Sequence, residues 1–194
     1  MRTAGTEYTD RLVKMQLPLW KRLLDVQRPY RWHLRRMRLG FTLDLGCGIG
    51  RTLVSLNGVG VDHNPESVAL AKNRGCVALT PAEFEASDFN RPGRFDALLV
   101  AHVLEHLSRS DAVILLSKYL PVVRSGGRVV ILVPQEAGYR SDPTHVTFFD
   151  FQAVEDLICE LGLRLVDQHS FPFPLPAGKH FKYNESVSVA RKHS

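Results

Sequence analysis

Cysteine is scarce in this chain, tryptophan scarcer, and no long apolar run occurs. The three cysteines, Cys47, Cys76 and Cys159, stand far apart with no C-x-x-C pair. That spacing excludes a disulfide framework and a zinc knuckle, and it points to a reducing, cytoplasmic setting. No stretch approaches the ~20 consecutive apolar residues of a membrane-spanning helix, and no uninterrupted apolar core follows the N-terminal charges as a secretion signal would require. Repeats and low-complexity segments are missing, and no long insertion leaves room for a separate substrate domain. What remains, 194 residues with 44% hydrophobic content, suits one domain of ordinary size with a real core.

One absence is local. Residues Leu43-Asp44-Leu45-Gly46-Cys47-Gly48-Ile49-Gly50 run an apolar strand into three glycines at alternate positions. Glycine tolerates positive φ and adds no Cβ, so such a bend lets the backbone approach a ligand closely. The nicotinamide and flavin fingerprint G-x-G-x-x-G needs a glycine at position 51, where Arg51 stands. Asp44 beside the turn would repel a pyrophosphate and suits a ligand carrying a cationic amino or sulfonium group. A nicotinamide oxidoreductase therefore ranks third among the readings.

The same segment resembles the first motif of class I S-adenosylmethionine-dependent methyltransferases, an acid followed by G-x-G-x-G. The resemblance implies S-adenosyl-L-methionine as cofactor, held around Asp44, Gly46, Cys47, Gly48, Ile49 and Gly50. Gly58-Val59-Gly60-Val61-Asp62 reads as a short buried strand ending in an acid eighteen residues after Asp44. A Rossmann-like fold puts a carboxylate on the ribose hydroxyls at that place, with His63 next to it. The alternative for Asp62 is a cap for the helix beginning at Pro65. Where many relatives carry an aspartate against the adenine, this chain has Thr80. Base recognition then falls to backbone groups around Pro81 and Ala82 or to Glu83, unless the segment is a plain proline turn.

Strand and helix alternate as in a parallel sheet. Strands are predicted over 41–45, 59–61, 77–79, 95–100, 127–133, 164–170 and 185–190, and helices over 51–56, 65–74, 111–120 and 151–161. The expected class is α/β: a Rossmann-like, seven-stranded, mostly parallel sheet flanked by helices, residues 41–194, after an N-terminal helical cap, residues 1–40. That cap holds ten Lys or Arg against three acids, a net +7, leaving −2 for the rest of the chain. Leu19, Trp20, Leu23 and Leu24 recur at helical spacing after Pro18. A basic, aromatic segment of this kind binds RNA, lies on an anionic membrane surface, or covers the core with a solvated polar face. In the related methyltransferases such segments often close over the cofactor, which brings Tyr30 and Trp32 to the pocket wall.

The stretch Ala101-His102-Val103-Leu104-Glu105-His106 follows the fourth strand, at the strand ends where open α/β sheets bind ligands. Ala101 and His102 are cofactor-side candidates. In a helical turn His102, Glu105 and His106 share a face, and the loop after the fifth strand brings His145 over the same crevice. This constellation is similar to the metal site of the small-RNA 2′-O-methyltransferases and the ubiquinone-pathway O-methyltransferases. There a carboxylate and histidine hold Mg²⁺, and the RNA enzymes carry a carboxylate where His102 stands. The resemblance implies a divalent metal on Glu105, His106 and His145. Magnesium prefers oxygen ligands, so several imidazoles would suit Zn²⁺, Mn²⁺ or Fe²⁺ better. Without a metal, Glu105 and His106 brace the loop.

Methylation of an alcohol needs a base or Lewis acid to manage one proton, and imidazoles exchange protons near neutral pH. His145 and His106 are the catalytic candidates. Phe171-Pro172-Phe173-Pro174-Leu175-Pro176 makes a stiff apolar wall, followed by Lys179, His180, Tyr183 and Asn184. With Tyr30, Trp32, Glu136 and Tyr139, Lys179 and Tyr183 form the expected contacts to a small hydroxylated acceptor. The chain as a whole is similar to small actinobacterial methyltransferases, some acting on saccharides. The resemblance implies O-methylation of a sugar, with a phenol or quinone-like compound second and RNA as the nucleic-acid alternative. A non-catalytic cofactor-binding scaffold and a homodimer stay open at this point.

Overall fold

The computed structural model describes residues 28–193. The Leu19–Leu24 stripe, and with it most of the expected cap, lies outside the described residues. The sheet begins with β1 (Phe41–Leu45) and β2 (Asn57–Val61), continues through β3 (Ala78–Leu79), β4 (Phe95–Ala101) and β5 (Val123–Pro134), and closes with β6 (Leu163–Phe171) and β7 (Glu185–Lys192). The spatial order is β3-β2-β1-β4-β5-β7-β6, with β7 antiparallel to both neighbours. This is the seven-stranded, mostly parallel arrangement expected.

The strands are near-continuous apolar runs because both faces of the sheet are covered. Successive residues of β4 show it: Leu98 and Val100 join the large core with Leu43, Ile131, Phe84, Leu116 and Leu157. Ala97 and Leu99 point the other way, into a cluster with Val130, Leu132, Val187 and Leu34. The first face is covered by α3 (Pro81–Glu85), α4 (Arg109–Tyr119) and α6 (Phe151–Glu160), the second by α1 (Arg28–Arg36). The remaining helices are α2 (Pro65–Asn73) and the single turn α5 (Glu136–Arg140).

One expected helix is absent. Residues 51–56 form only a 3₁₀ turn, Leu53–Ser55, because six residues between Gly50 and Asn57 leave no room for two helical turns before β2 must start. Leu53 still reaches the core, packing with Cys47, Val68, Ala71 and Ala78. Strand β5 starts earlier than expected, at Val123, and its register against β4 shifts between Phe95 and Ala97 before pairing regularly from Arg128. Other boundaries agree within about two residues.

The parallel strands β1, β2, β4 and β5 all end on one edge of the sheet. Because β7 runs the other way, its first residue, Glu185, comes to that same edge opposite Pro134. Whatever the site is, it is assembled there.

Candidate active site at the carboxyl edge of the sheet

The glycine bend follows directly from β1. Gly46, Gly48 and Gly50 all have positive φ. A Cβ on Gly46 would stand 2.2 Å from Val103 Cγ2, whereas one on Gly48 would meet nothing within 4 Å. The bend is thus closed toward β4 and open at Gly48. The Gly48 N–H donates to Asp62 Oδ2 at 2.7 Å, and the Asn64 N–H donates to Oδ1 at 2.9 Å. Asp62 therefore ties the bend to the end of β2. It does not cap α2: the Asn64 side chain does, accepting from Glu66 and Ser67. His63 is exposed, with Nδ1 3.7 Å from the Asp62 carboxylate.

Asp44 lies beneath the bend, 1% exposed, and accepts a hydrogen bond from Thr52 Oγ1 at 2.9 Å. Burial pushes its pKa up to about 7 against that hydrogen bond, and the Asp62 charge adds to the rise. Cys47 and Ile49 point into the core, so their contribution to a ligand is through backbone alone. Burial pushes the Cys47 thiol well up, leaving it an inert neutral group.

At the end of β3 the structure makes a capping box. Thr80 Oγ1 accepts from the Glu83 N–H, Glu83 Oε2 accepts from the Thr80 N–H, and Lys72 holds Glu83 Oε1 at 3.0 Å. Glu83 thus serves the cap and the ion pair while remaining partly exposed, beside the backbone of Pro81 and Ala82.

After β4 the expected helical face does not form. His102 has φ +58, and only Leu104–His106 make a 3₁₀ turn. The His102 ring swings away from His106 and lies between two carboxylates, Nδ1 3.2 Å from Glu105 Oε1 and Nε2 2.8 Å from Glu185 Oε1. The ring is 47% exposed, so the desolvation that would pull this imidazole down is weak beside the Glu185 charge and the hydrogen bonds to both carboxylates, and its pKa stands well above 6.5. Glu185 had no sequence signal.

His106 and His145 do converge with Glu105. One ligand atom from each of the three lies within 4.8 Å of the others. The His145 Nδ1 hydrogen donates to the Tyr139 carbonyl at 2.7 Å, and His106 Nδ1 faces the Thr144 carbonyl at 3.3 Å. A carbonyl only accepts, so these contacts put a hydrogen on Nδ1 of both rings and turn Nε2 away from them. Glu105 is 1% exposed and its Oε2 has no partner. A buried carboxylate oxygen without a donor is costly, and two imidazole nitrogens with it make a set that fits a divalent cation or a proton.

A cavity of about 380 Å³ opens at this edge, lined among others by Gln135, Glu136, Phe148, Phe151, Leu175 and Lys179. Glu136 and Lys179 are the expected acceptor contacts that line it. Tyr139 stacks on His145 with ring centroids 5.4 Å apart. Tyr30 donates to the Tyr183 carbonyl, and burial beside Glu185 pushes its phenol upward. Trp32 is half-exposed under the Arg36 guanidinium, 4.8 Å from its ring, on the outer side of α1. Asn184, expected on the polar wall, is fully buried. Its amide donates to Gln135 Oε1, and Gln135 Nε2 donates to Ser170 Oγ and to the Glu185 carbonyl. This network pins the 172–184 connection and positions Glu185.

Comparison with known proteins agrees with this fold. Residues 43–131 match the methyltransferase domain family. Among solved structures, the chain is similar to a magnesium protoporphyrin IX methyltransferase from Synechocystis with bound S-adenosylhomocysteine, at 13% identity and TM-score 0.67, covering 96% of this chain and 95% of that one. A possible histamine N-methyltransferase from Thermotoga maritima gives 17% identity and TM-score 0.66 over 95% and 98%. A S-adenosylmethionine-dependent methyltransferase from Archaeoglobus fulgidus gives 17% and 0.62 over 84% and 93%. The comparison with curated proteins gave no match.

Proposed function

We propose that this chain, a class I S-adenosylmethionine-dependent methyltransferase, transfers the methyl group to a hydroxyl of a small molecule, a saccharide first and a phenolic or quinone-like compound second. The observation that carries the reading is the cluster of the buried Glu105 carboxylate with the His106 and His145 imidazoles, at the same sheet edge as the glycine bend.

The open space at Gly48 and the Asp62 carboxylate fit the cofactor: the bend approaches it through backbone, Asp62 takes the ribose hydroxyls and the Asp44 charge favours its cationic end. When bound, S-adenosylmethionine would supply a methyl group activated by a sulfonium, with the neutral thioether S-adenosylhomocysteine as leaving group. The chain's own work is to align the acceptor and take its proton. His145, held by Tyr139, or His106 accepts that proton at Nε2. In the alternative arrangement the cluster holds a divalent ion through Glu105, His106 and His145, and such an ion supplies Lewis acidity toward the hydroxyl.

Phe148, Phe151 and Leu175 offer apolar faces and Glu136 and Lys179 polar edges, a mixture that suits stacking on a sugar or an aromatic ring with hydrogen bonds at its rim. The neighbouring enzymes have names that point to a porphyrin in one case and histamine in another, so the acceptor is read from this cavity and not from them. The test is labelled methyl transfer to three acceptor sets: methyl glycosides, catechols and RNA. Transfer to a hydroxyl of the first set supports the proposal; transfer to RNA alone, with affinity falling steeply with salt, or to nitrogen acceptors alone overturns it.

A further inference from the structure

Two of the side-chain atoms buried without a partner among the described residues are Glu105 Oε2 and Glu185 Oε2. Both belong to carboxylates whose other oxygen is held by the same ring, that of His102. Each of its two ring nitrogens lies within hydrogen-bond distance of one of these carboxylates, 3.2 Å from Glu105 and 2.8 Å from Glu185. The bridge joins the end of β4 to the start of β7, residues 83 positions apart in the chain.

The backbone at His102 is built for this bridge. A non-glycine residue at φ +58 is in a disfavoured, left-handed conformation, and it is held there by its own N–H donating to the Leu132 carbonyl at 3.0 Å. The unusual φ turns the ring off the face that Glu105 and His106 would share in a regular helix. His102 is thereby removed from the group of cation-binding atoms, and its two nitrogens are engaged elsewhere. A carboxylate is planar, so fixing Oε1 of Glu105 also fixes the direction of Oε2. That oxygen is the Glu105 side-chain atom left without a partner, on a residue that stands with His106 and His145.

We infer that His102 is a positioning residue for a divalent transition ion: through its bridge to Glu185 it fixes Glu105 as the carboxylate of a two-imidazole, one-carboxylate site. This rests on the reading above that the cluster holds an ion. Its chemical consequence is selectivity, because two nitrogen donors and one oxygen favour Zn²⁺, Mn²⁺, Fe²⁺ or Co²⁺ over Mg²⁺, which demands oxygen ligands. Glu185 is the anchor of the bridge, itself held in place by the Gln135 and Asn184 network.

Cobalt titration of the metal-free full chain, followed by calorimetry and visible absorption, tests the inference without an acceptor. The wild-type chain is expected to bind one Co²⁺ with a visible d–d band, and His106→Ala and His145→Ala to lose it. Loss of a group that orients a ligand typically weakens binding by about 10–100-fold. His102→Ala is expected to fall in that range with a shifted band, and His102→Gln, whose amide can donate to one carboxylate, to recover part of the affinity. Glu185→Gln, which leaves the ring in place but removes its anionic partner, is expected to weaken Co²⁺ as well, and it serves if His102→Ala fails to fold by circular dichroism. Unchanged affinity and band in His102→Ala and Glu185→Gln would overturn the positioning role while leaving the cluster as an ion site. No binding by the wild-type chain would overturn the ion site itself and the inference with it, equal competition by millimolar Mg²⁺ would overturn the assignment to a transition ion, and methyl transfer by the same preparation would still stand as a separate result.

Discussion

Replacing Asp44 by asparagine separates what its charge does for the fold from what it does for the cofactor. The carboxylate is buried, accepts one hydrogen bond from Thr52 and lies close to the Asp62 charge. Burial moves its pKa from 3.8 to about 7, which corresponds to about 4 kcal/mol disfavouring the charged form in the folded chain. Between those two values the folded chain keeps a proton that the unfolded chain has lost, so stability falls as pH rises through the window and levels off above the folded value. Asparagine keeps an acceptor for Thr52 and removes the charge. The unfolding free energy of Asp44→Asn relative to wild type should therefore grow from near zero around pH 4 to between about 1 and 4 kcal/mol in the variant's favour by pH 8, measured by urea denaturation followed with circular dichroism. Histidine titrations cancel in that difference, since both chains carry them. Cofactor affinity should move the opposite way, by about tenfold, because the cationic end of S-adenosylmethionine loses a nearby negative charge. A difference that stays flat with pH would refute the argument that a desolvated carboxylate sits beneath the bend.

Other outcomes follow from the same edge of the sheet. His145→Ala should keep S-adenosylhomocysteine binding by calorimetry and lose about 10²–10⁴-fold in turnover; an unchanged rate removes His145 from proton transfer. Asp62→Asn should weaken S-adenosylhomocysteine by about 1.5–3 kcal/mol, since a hydrogen bond to a charged group is lost, and full affinity would move the ribose elsewhere. Gly46→Ala forces a Cβ to within 2.2 Å of Val103 Cγ2 and should cost about 2–4 kcal/mol of stability, part of it recovered by adding Val103→Ala. No recovery in the double variant would mean that the positive φ, not the collision, dominates.

The strands along the chain and the placing of the glycine bend at a strand end were legible because they depend on patterns within short windows. An apolar run ending in glycines, and a second ending in an acid, are local signals, and Asp44, the glycines and Asp62 stand where those signals put them. The helix over residues 51–56 was misread for the opposite reason: Leu53 and Leu56 supply apolar spacing, but the connection is too short for a helix, and chain length between anchored strands overrides propensity. The capping box at Glu83 was missed because Thr-x-x-Glu, two donors and two acceptors three residues apart, uses the same residue types as a base-binding turn.

The charge bridge is a harder case, and it shows where sequence reasoning stops. Glu105, His106 and His145 could be grouped in advance because two of them are adjacent and the third lies in a loop that the fold returns to the same edge. His102 sits one helical turn from His106 in the sequence, and helical spacing placed it with the ligands. Its left-handed φ reverses that placement, and its partner Glu185 stands at the far end of the chain on a strand that runs antiparallel to its neighbours. Period and spacing carry no information about a reversed strand's first residue meeting the end of β4; only the 3-2-1-4-5-7-6 order does. The bridge therefore belongs to topology, and the Glu185→Gln titration tests the fold's contribution to the site as directly as it tests the residue's.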